Sequence, residues 1–419
     1  MALHDTFIKV ITDKTLEAAE RAVVDIIVRK LRAQSVTVSK ATRDGIERAV
    51  RAREFSTIRL PDPAVPAGRR QPKLSITKAD LRVLNRIESR LRKSLPRIVE
   101  AETTKLAPRL LNDLIKRWPD QATSEQESLA LFQRHQWRRW RKGLSRLAMM
   151  LTITRELGGQ LAAQYSATPD RLPHVLIRLH ARACTVADEV LTLLQAGFAD
   201  AAMARWRTLH EIAVTSLFLQ EHGETAAERF LAHEAIDELK AARLHQKHAR
   251  RLGLKRLHRR DIDRLKRIVR KRIATFGPGF RSPYGWAANG PSDHVRGFDD
   301  VERRTSLSHW RPSYKAASHQ VHATPNAMFE WIAVYGSDGP LGGRSMLGVA
   351  DPGQRTAISL NQVTAAVATC GKPSPTFDTV LTLKILRLAC TEAINDFIEA
   401  HRKQQRLLAK HRRRTPRRR

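Results

Sequence analysis

Cysteine is scarce in this 419-residue chain, where only Cys184, Cys370 and Cys390 occur. They are widely spaced and form neither a CxxC pair nor a metal-ligand run. That excludes a disulfide framework and a cysteine-based zinc module, and reduced thiols in the cytoplasm are the expectation. Aromatic residues make up only 5%, which suits helix packing by Leu, Ala, Ile and Val better than a large β-sandwich. No stretch approaches the ~20 apolar residues of a membrane helix. Met1-Ala2-Leu3-His4-Asp5 has no basic region ahead of an apolar one, so no signal peptide is expected. The basic C-terminal tail has no bulky apolar face to insert in a membrane surface. No GxSxG, HExxH or dinucleotide fingerprint occurs. The Gly336–Ser345 loop lacks both the Gly-Lys-Ser/Thr ending and the preceding strand of a phosphate loop. Internal repeats are missing and strand signals are sparse, which leaves an all-α, multi-helix fold.

Acidic residues are also in deficit. Asp and Glu number 42 against 75 Lys and Arg, a net charge of +33. Such a chain repels itself and is drawn to polyanions, of which nucleic acid is the most abundant in a cell. The expected partner is therefore nucleic acid, RNA before DNA, with no membrane and no cofactor. The sequence leaves a homodimer open. Arg256, Arg259, Arg260, Arg267 and Lys271 in the charge-dense stretch 240–272, with Arg413 and Arg418 in the tail, are the candidate phosphate contacts. The competing explanation is a high-GC genome, in which Arg codons accumulate, with the tail a solvated, disordered extension.

Periodicity divides the chain into an N-terminal helical region (1–58), a linker (59–75), a long-helix region (76–120), a helical core (124–400) and a basic tail (401–419). Apolar residues from Ile8 to Leu31 recur at helical spacing, and Ser39 and Thr77 are placed as N-caps. Leu60-Pro61-Asp62-Pro63 cannot continue a helix, and Trp118-Pro119-Asp120 is expected to end one. Residues 172–195 and 198–222, joined at Gly197 and ended at Gly223, read as an αα-hairpin. A third helix follows from Thr225, and residues 240–272 read as helical throughout. Residues 274–298 read as an ordered loop. Asp299-Asp300-Val301-Glu302 fits a capping box, with Phe298 as its staple. Residues 336–355 read as a Gly-rich loop, and Thr376 or Asp378 opens a last helix through Ala400.

Two segments carry chemistry. Arg134 to Lys142 interleaves basic residues with Trp137 and Trp140, an arrangement that suits phosphate contact and base stacking. Equally, the indoles at i and i+3 would pack inward while the arginines face water. Arg205-Trp206-Arg207-Thr208-Leu209-His210-Glu211 places Arg207 and Glu211 one helical turn apart among apolar flanks, where charge needs a partner or a function. Later, the polar segment Tyr314-Lys315-Ala316-Ala317-Ser318-His319-Gln320-Val321-His322 places His319 and His322 one turn apart. Arg207, Glu211, His322 and His319 are the candidate catalytic set, with Arg205 and His210 nearby. The alternative is an ion pair bonded to a carbonyl or to His322 that fixes helix register. No third or fourth ligand stands beside the two histidines, so no metal is expected.

Arg207, Thr208, Leu209 and Glu211, then Trp286 in Pro283-Tyr284-Gly285-Trp286, then Ser318, Val321 and His322 resemble a bacterial family classed only as a domain of unknown function. The likeness covers roughly 170–330 and implies no activity. Arg205 and His210 also resemble the Arg-x4-His spacing of HEPN ribonucleases, helical domains of toxin and phage-defence systems. Arg311 to His319 departs from that spacing. This second resemblance implies metal-free RNA cleavage, with His acting on the 2′-hydroxyl and Arg on the pentavalent phosphate. The expectations are a nucleic-acid-binding protein with such an RNase site, a basic binding module without catalysis, or a helical scaffold.

Overall fold

The computed structural model describes residues 3–52, 74–75, 77–290, 293–329, 342–371 and 374–414. Among them no strand occurs, and the fold is all-α. Contacts divide the chain into two units, residues 1–126 and 127–419. The expected linker 59–75 lies almost wholly outside the described residues.

In the first unit, helix α1 (Leu3–Ala33) pairs with α2 (Lys40–Ala52). Val24, Val28 and Leu31 meet Ile46 and Val50 in a small core. Ser39 caps α2, its Oγ accepting the Thr42 N–H at 3.1 Å. Thr77 caps α3 (Lys78–Gln164) reciprocally: Asp80 Oδ2 accepts the Thr77 N–H at 2.7 Å, and the Asp80 N–H reaches back to Thr77 Oγ1 at 3.4 Å. Lys30 pairs with the same carboxylate. This bond, followed by the two from Thr77, pulls Asp80 down to about 2.

The expected break at Trp118-Pro119-Asp120 does not occur, because α3 continues through Pro96, Pro108 and Pro119. Each proline deletes one backbone donor at roughly 3 kcal/mol. Residues 111–121 are exposed, so the carbonyl that Pro119 frees faces water. Thr123 Oγ1 also bonds the Pro119 carbonyl at 3.1 Å.

In the second unit, α4 (Arg171–Gln195) and α5 (Ala199–Ala232) form the expected hairpin. A Schellman turn closes α4: the Phe198 N–H bonds Leu193 O at 2.8 Å and the Gly197 N–H bonds Leu194 O at 3.2 Å. The helix breaks at Gly223 as expected, where the backbone is non-helical (φ 72°, ψ −154°), and a second helical stretch of α5 follows across the kink. The continuous helix expected over 240–272 is instead two, α6 (Glu234–His248) and α7 (Arg259–Phe276). Between them Gly253 takes a left-handed φ of 66°, and the Leu254 N–H returns to Ala249 O at 2.8 Å. Short 3-10 turns at Pro278–Arg281 and Gly285–Ala287 order the following loop. Then come α8 (Phe298–Arg303), α9 (Arg311–His319) and α10 (Pro325–Phe329).

Helix α11 (Ala350–Ala368) occupies part of the stretch read as loop, and it packs on α4, α5 and α12 (Phe377–Arg414). Thr376 caps α12, its Oγ1 accepting the Thr379 N–H at 3.2 Å. The helix runs past Ala400 into the basic stretch as far as Arg414, and residues 415–419 lie outside the described residues.

Phe397 of α12 is fully buried between two glycines. A Cβ on Gly143 would stand 2.7 Å from its ring, and one on Gly353 would stand 2.5 Å away. The ring cannot retreat from one without striking the other. Gly143→Ala and Gly353→Ala should each cost about 1–3 kcal/mol in urea unfolding. Gly159→Ala, whose Cβ meets nothing within 4 Å, should instead stabilise α3 by about 1 kcal/mol.

Candidate functional site

The α5 stretch from Arg205 to Glu211 is clamped by α8, α9 and α11. Trp206, Leu209 and His210 are buried, while Arg205, Arg207, Thr208 and Glu211 lie at the edge of the core. Trp206 donates its indole N–H to Ser359 Oγ at 3.1 Å. Arg205 is held by Glu189 of α4.

Arg207 and Glu211 pair as their spacing requires, Nη2 to Oε1 at 3.3 Å. Their shared partner is Tyr314. Its hydroxyl accepts from Arg207 Nη2 at 2.7 Å and donates to Glu211 Oε1 at 2.5 Å. The Arg207 guanidinium also lies 4.7 Å from the Tyr314 ring centroid, and that of Arg311 lies 5.3 Å from it. Burial, then the Glu211 carboxylate, raises the Tyr314 phenol well above its ordinary range against the opposing pull of Arg207, so it stays a donor. Burial and Glu211 raise Tyr284 as well. Arg207 Nε is buried without a hydrogen-bond partner among the described residues.

Beneath this triad lies a second pair. His210 Nε2 is 2.8 Å from Glu302 Oε1, both side chains 1% exposed. Arg311 Nη1 donates to Glu302 Oε2 at 3.2 Å. This corrects the capping-box reading. Helix α8 starts at Phe298, after Gly297, and Glu302 turns inward instead of back along the helix. The N-terminal work falls to Asp300, which accepts the Arg296 N–H at 2.7 Å. Trp206, Trp310 and Phe298 wall the pair, and Arg355 lies over both indoles at 5.2 and 5.3 Å.

The Trp286 turn is tied to the same helix further on. Arg229 is buried, and its guanidinium donates to Gly285 O at 2.9 Å and Trp286 O at 3.1 Å. Trp286 fits edge-on between Phe218 and Phe230. Its role is to pin the loop to α5.

The expected catalytic set is thus only partly assembled. Arg207 and Glu211 meet, but Tyr314 occupies the place expected of His322. His322 is exposed just past α9, with its backbone bonded to Ser318 and Thr324. His319, one turn earlier, is half-buried. Among the described residues no cluster of three or more His, Cys, Asp or Glu could hold a metal. Tyr314, Glu302, Arg311, Arg229 and Arg355 carry the network, and none of them is among the site residues expected from the sequence. The one available signal was their charge or hydroxyl amid apolar neighbours.

Of the candidate phosphate contacts, Arg256, Arg259, Arg260, Arg267 and Lys271 are all exposed. Arg413 falls in α12, and Arg418 lies outside the described residues. On α7, Arg260, Arg264, Arg267 and Lys271 recur at helical spacing and form one basic stripe. Ile262, Leu265, Val269 and Ile273 face the core. In the tryptophan segment Trp140 is buried, its N–H on Met346 O at 3.1 Å, whereas Trp137 is 42% exposed. No helix among the described residues is long and apolar enough to cross a membrane.

Residues 174–335 match a family of unknown function, DUF5677. The match bears out the resemblance over this part of the chain. It spans α5, the Trp286 turn, α8 and α9, and so every residue of the Arg207–Glu211–Tyr314 and His210–Glu302–Arg311 groups. No curated protein and no solved structure matches the chain.

Proposed function

We propose that the chain is a nucleic-acid-binding protein that takes RNA in preference to DNA, with the α7 stripe as a principal contact surface. The observation that carries this reading is the stripe itself. Arg260, Arg264, Arg267 and Lys271 present one face of exposed cations over roughly 16 Å of helix. Only Asp261 and Asp263 offset them within α7, and Asp263 is engaged by Lys266 at 2.9 Å. The apolar face of α7 packs on the core, so its cations stand together on the solvent side. Phosphates on such a face release counterions, so binding should fall steeply with salt and show little sequence preference.

A second reading keeps the RNase chemistry of the toxin and phage-defence type. The Arg207 side chain is 23% exposed and that of Glu211 36%, so the pair presents a guanidinium to a phosphate and a carboxylate to a 2′-hydroxyl. His210 is less suited to that work, since it is buried against Glu302.

One experiment separates these. Purified chain is incubated with labelled RNA and DNA over a salt series in chelator, beside Arg260→Gln/Arg267→Gln/Lys271→Gln and Glu211→Gln. The binding reading expects the triple variant to lose up to about 3 units of salt slope, about one per phosphate contact removed. An unchanged slope removes α7 from the contact surface, and no binding at low salt ends the reading. RNA cleavage by wild type that Glu211→Gln abolishes would favour the second reading.

A further inference from the structure

We propose that the groove between the C-terminal half of α3 and α12 is a single-stranded nucleic-acid site, in which a base stacks on Trp137 while phosphates bind the flanking arginines. Arg134, Trp137, Arg138 and Arg141 recur at i, i+3, i+4 and i+7, so they form one stripe along α3. All four side chains are exposed. With Lys403 of α12 they line a groove of about 560 Å³, within the roughly 300–1,000 Å³ range of ligand sites. Trp140, which also lines the groove, is tied to α12 through Met346 O, which accepts from both Trp140 Nε1, at 3.1 Å, and Gln404 Nε2, at 2.9 Å.

Most of the charge in the groove is uncompensated. Of its acids, Asp396 is engaged by Arg146 outside the groove at 2.8 Å, and Glu399 offsets Lys142, another lining residue, at 3.8 Å. Among the described residues no carboxylate lies within ion-pair distance of Arg134, Arg138, Arg141 or Lys403. An indole left in water between unpaired guanidinium groups is complementary to a ligand with both a π-face and phosphates. An unpaired strand offers both, whereas a duplex hides its base faces. An acidic peptide would use the cations and leave the indole idle.

This inference rests on the nucleic-acid reading, and the test distinguishes the failure of each. Full-length chain is titrated by fluorescence anisotropy with a short labelled single-stranded RNA and with the same RNA annealed to its complement. Wild type is compared with Trp137→Ala and Trp137→Phe. Trp137→Ala should weaken single-strand binding about 5- to 150-fold, the worth of one stacked base. Duplex binding and the salt slope should not change, and Trp137→Phe should recover most of the loss. If wild type binds the strand and Trp137→Ala binds it equally well, the groove is not the site and the nucleic-acid reading stands. Equal weakening toward strand and duplex also overturns stacking. If wild type binds neither RNA at low salt, both readings fall.

Discussion

A Glu302→Ala chain should lose about 1–3 kcal/mol of stability, the cost of leaving a buried hydrogen-bonding group without its partner. Both carboxylate oxygens are in use, Oε1 with His210 at 2.8 Å and Oε2 with Arg311 at 3.2 Å. Removing them strands a ring nitrogen of His210, which is 1% exposed and cannot reach water. Arg311, one third exposed, can turn outward, so most of the cost falls on the histidine. Glu302→Gln keeps the shape and an acceptor oxygen, and should cost less. His210→Phe/Glu302→Leu removes both polar groups together and should recover much of the loss, because two apolar side chains of similar size leave nothing unsatisfied. Urea midpoints at fixed slope rank these variants. An alanine variant as stable as wild type would show that the site relaxes and the pair does not hold α8 to α5. The same double variant bears on catalysis: RNA cleavage that survives in a folded His210→Phe/Glu302→Leu chain leaves this pair a purely structural role.

Where local chemistry sets the structure, the sequence was a good guide. Ser39, Thr77 and Thr376 cap helices through bonds a few residues long. Gly197 closes α4, and the Arg207–Glu211 pair follows from the helix repeat alone. Where distant groups decide, it misled. Glu302 sits at a capping position yet turns inward, because His210, 92 residues away in sequence, needs an acceptor. Tyr314 joins Arg207 and Glu211 only because α9 folds back on α5. Helix α11 escaped notice for a different reason. Its first turn carries Pro352 and Gly353, which read as loop, and on its buried face the small or polar Thr356, Ala357, Ser359, Thr364 and Ala366 are interleaved with Leu360, Val363 and Val367. The small residues let α11 pack closely on α4, α5 and α12. Proline misled in the opposite sense, since in the exposed part of α3 water can take the carbonyls it frees.

Acid should unfold the second unit partly through His180. The ring is 3% exposed in the core, and burial pushes it from 6.5 down to about 4. Its contacts offer no charge to stabilise an imidazolium. Nε2 is 3.4 Å from Thr364 Oγ1, and Nδ1 is 3.9 Å from Cys184 Sγ, a thiol that burial holds up at about 11. There is no room for the ring to swing away on the α3 side, where a Cβ on Gly158 would lie 2.5 Å from it. A base with a depressed folded pKa takes its proton first in the unfolded chain. Its stabilising contribution is complete above 6.5, declines as the pH falls, and is gone by about 4. The shift corresponds to about 3 kcal/mol across that window. Burial lowers His233 too, so it adds to the loss in the same direction. The difference between wild type and His180→Gln isolates the one ring: urea midpoints measured at several pH values should converge as the pH falls toward 4, with wild type losing more. A constant difference between the two chains across the window would mean that His180 is hydrated or paired in the folded protein, contrary to its burial.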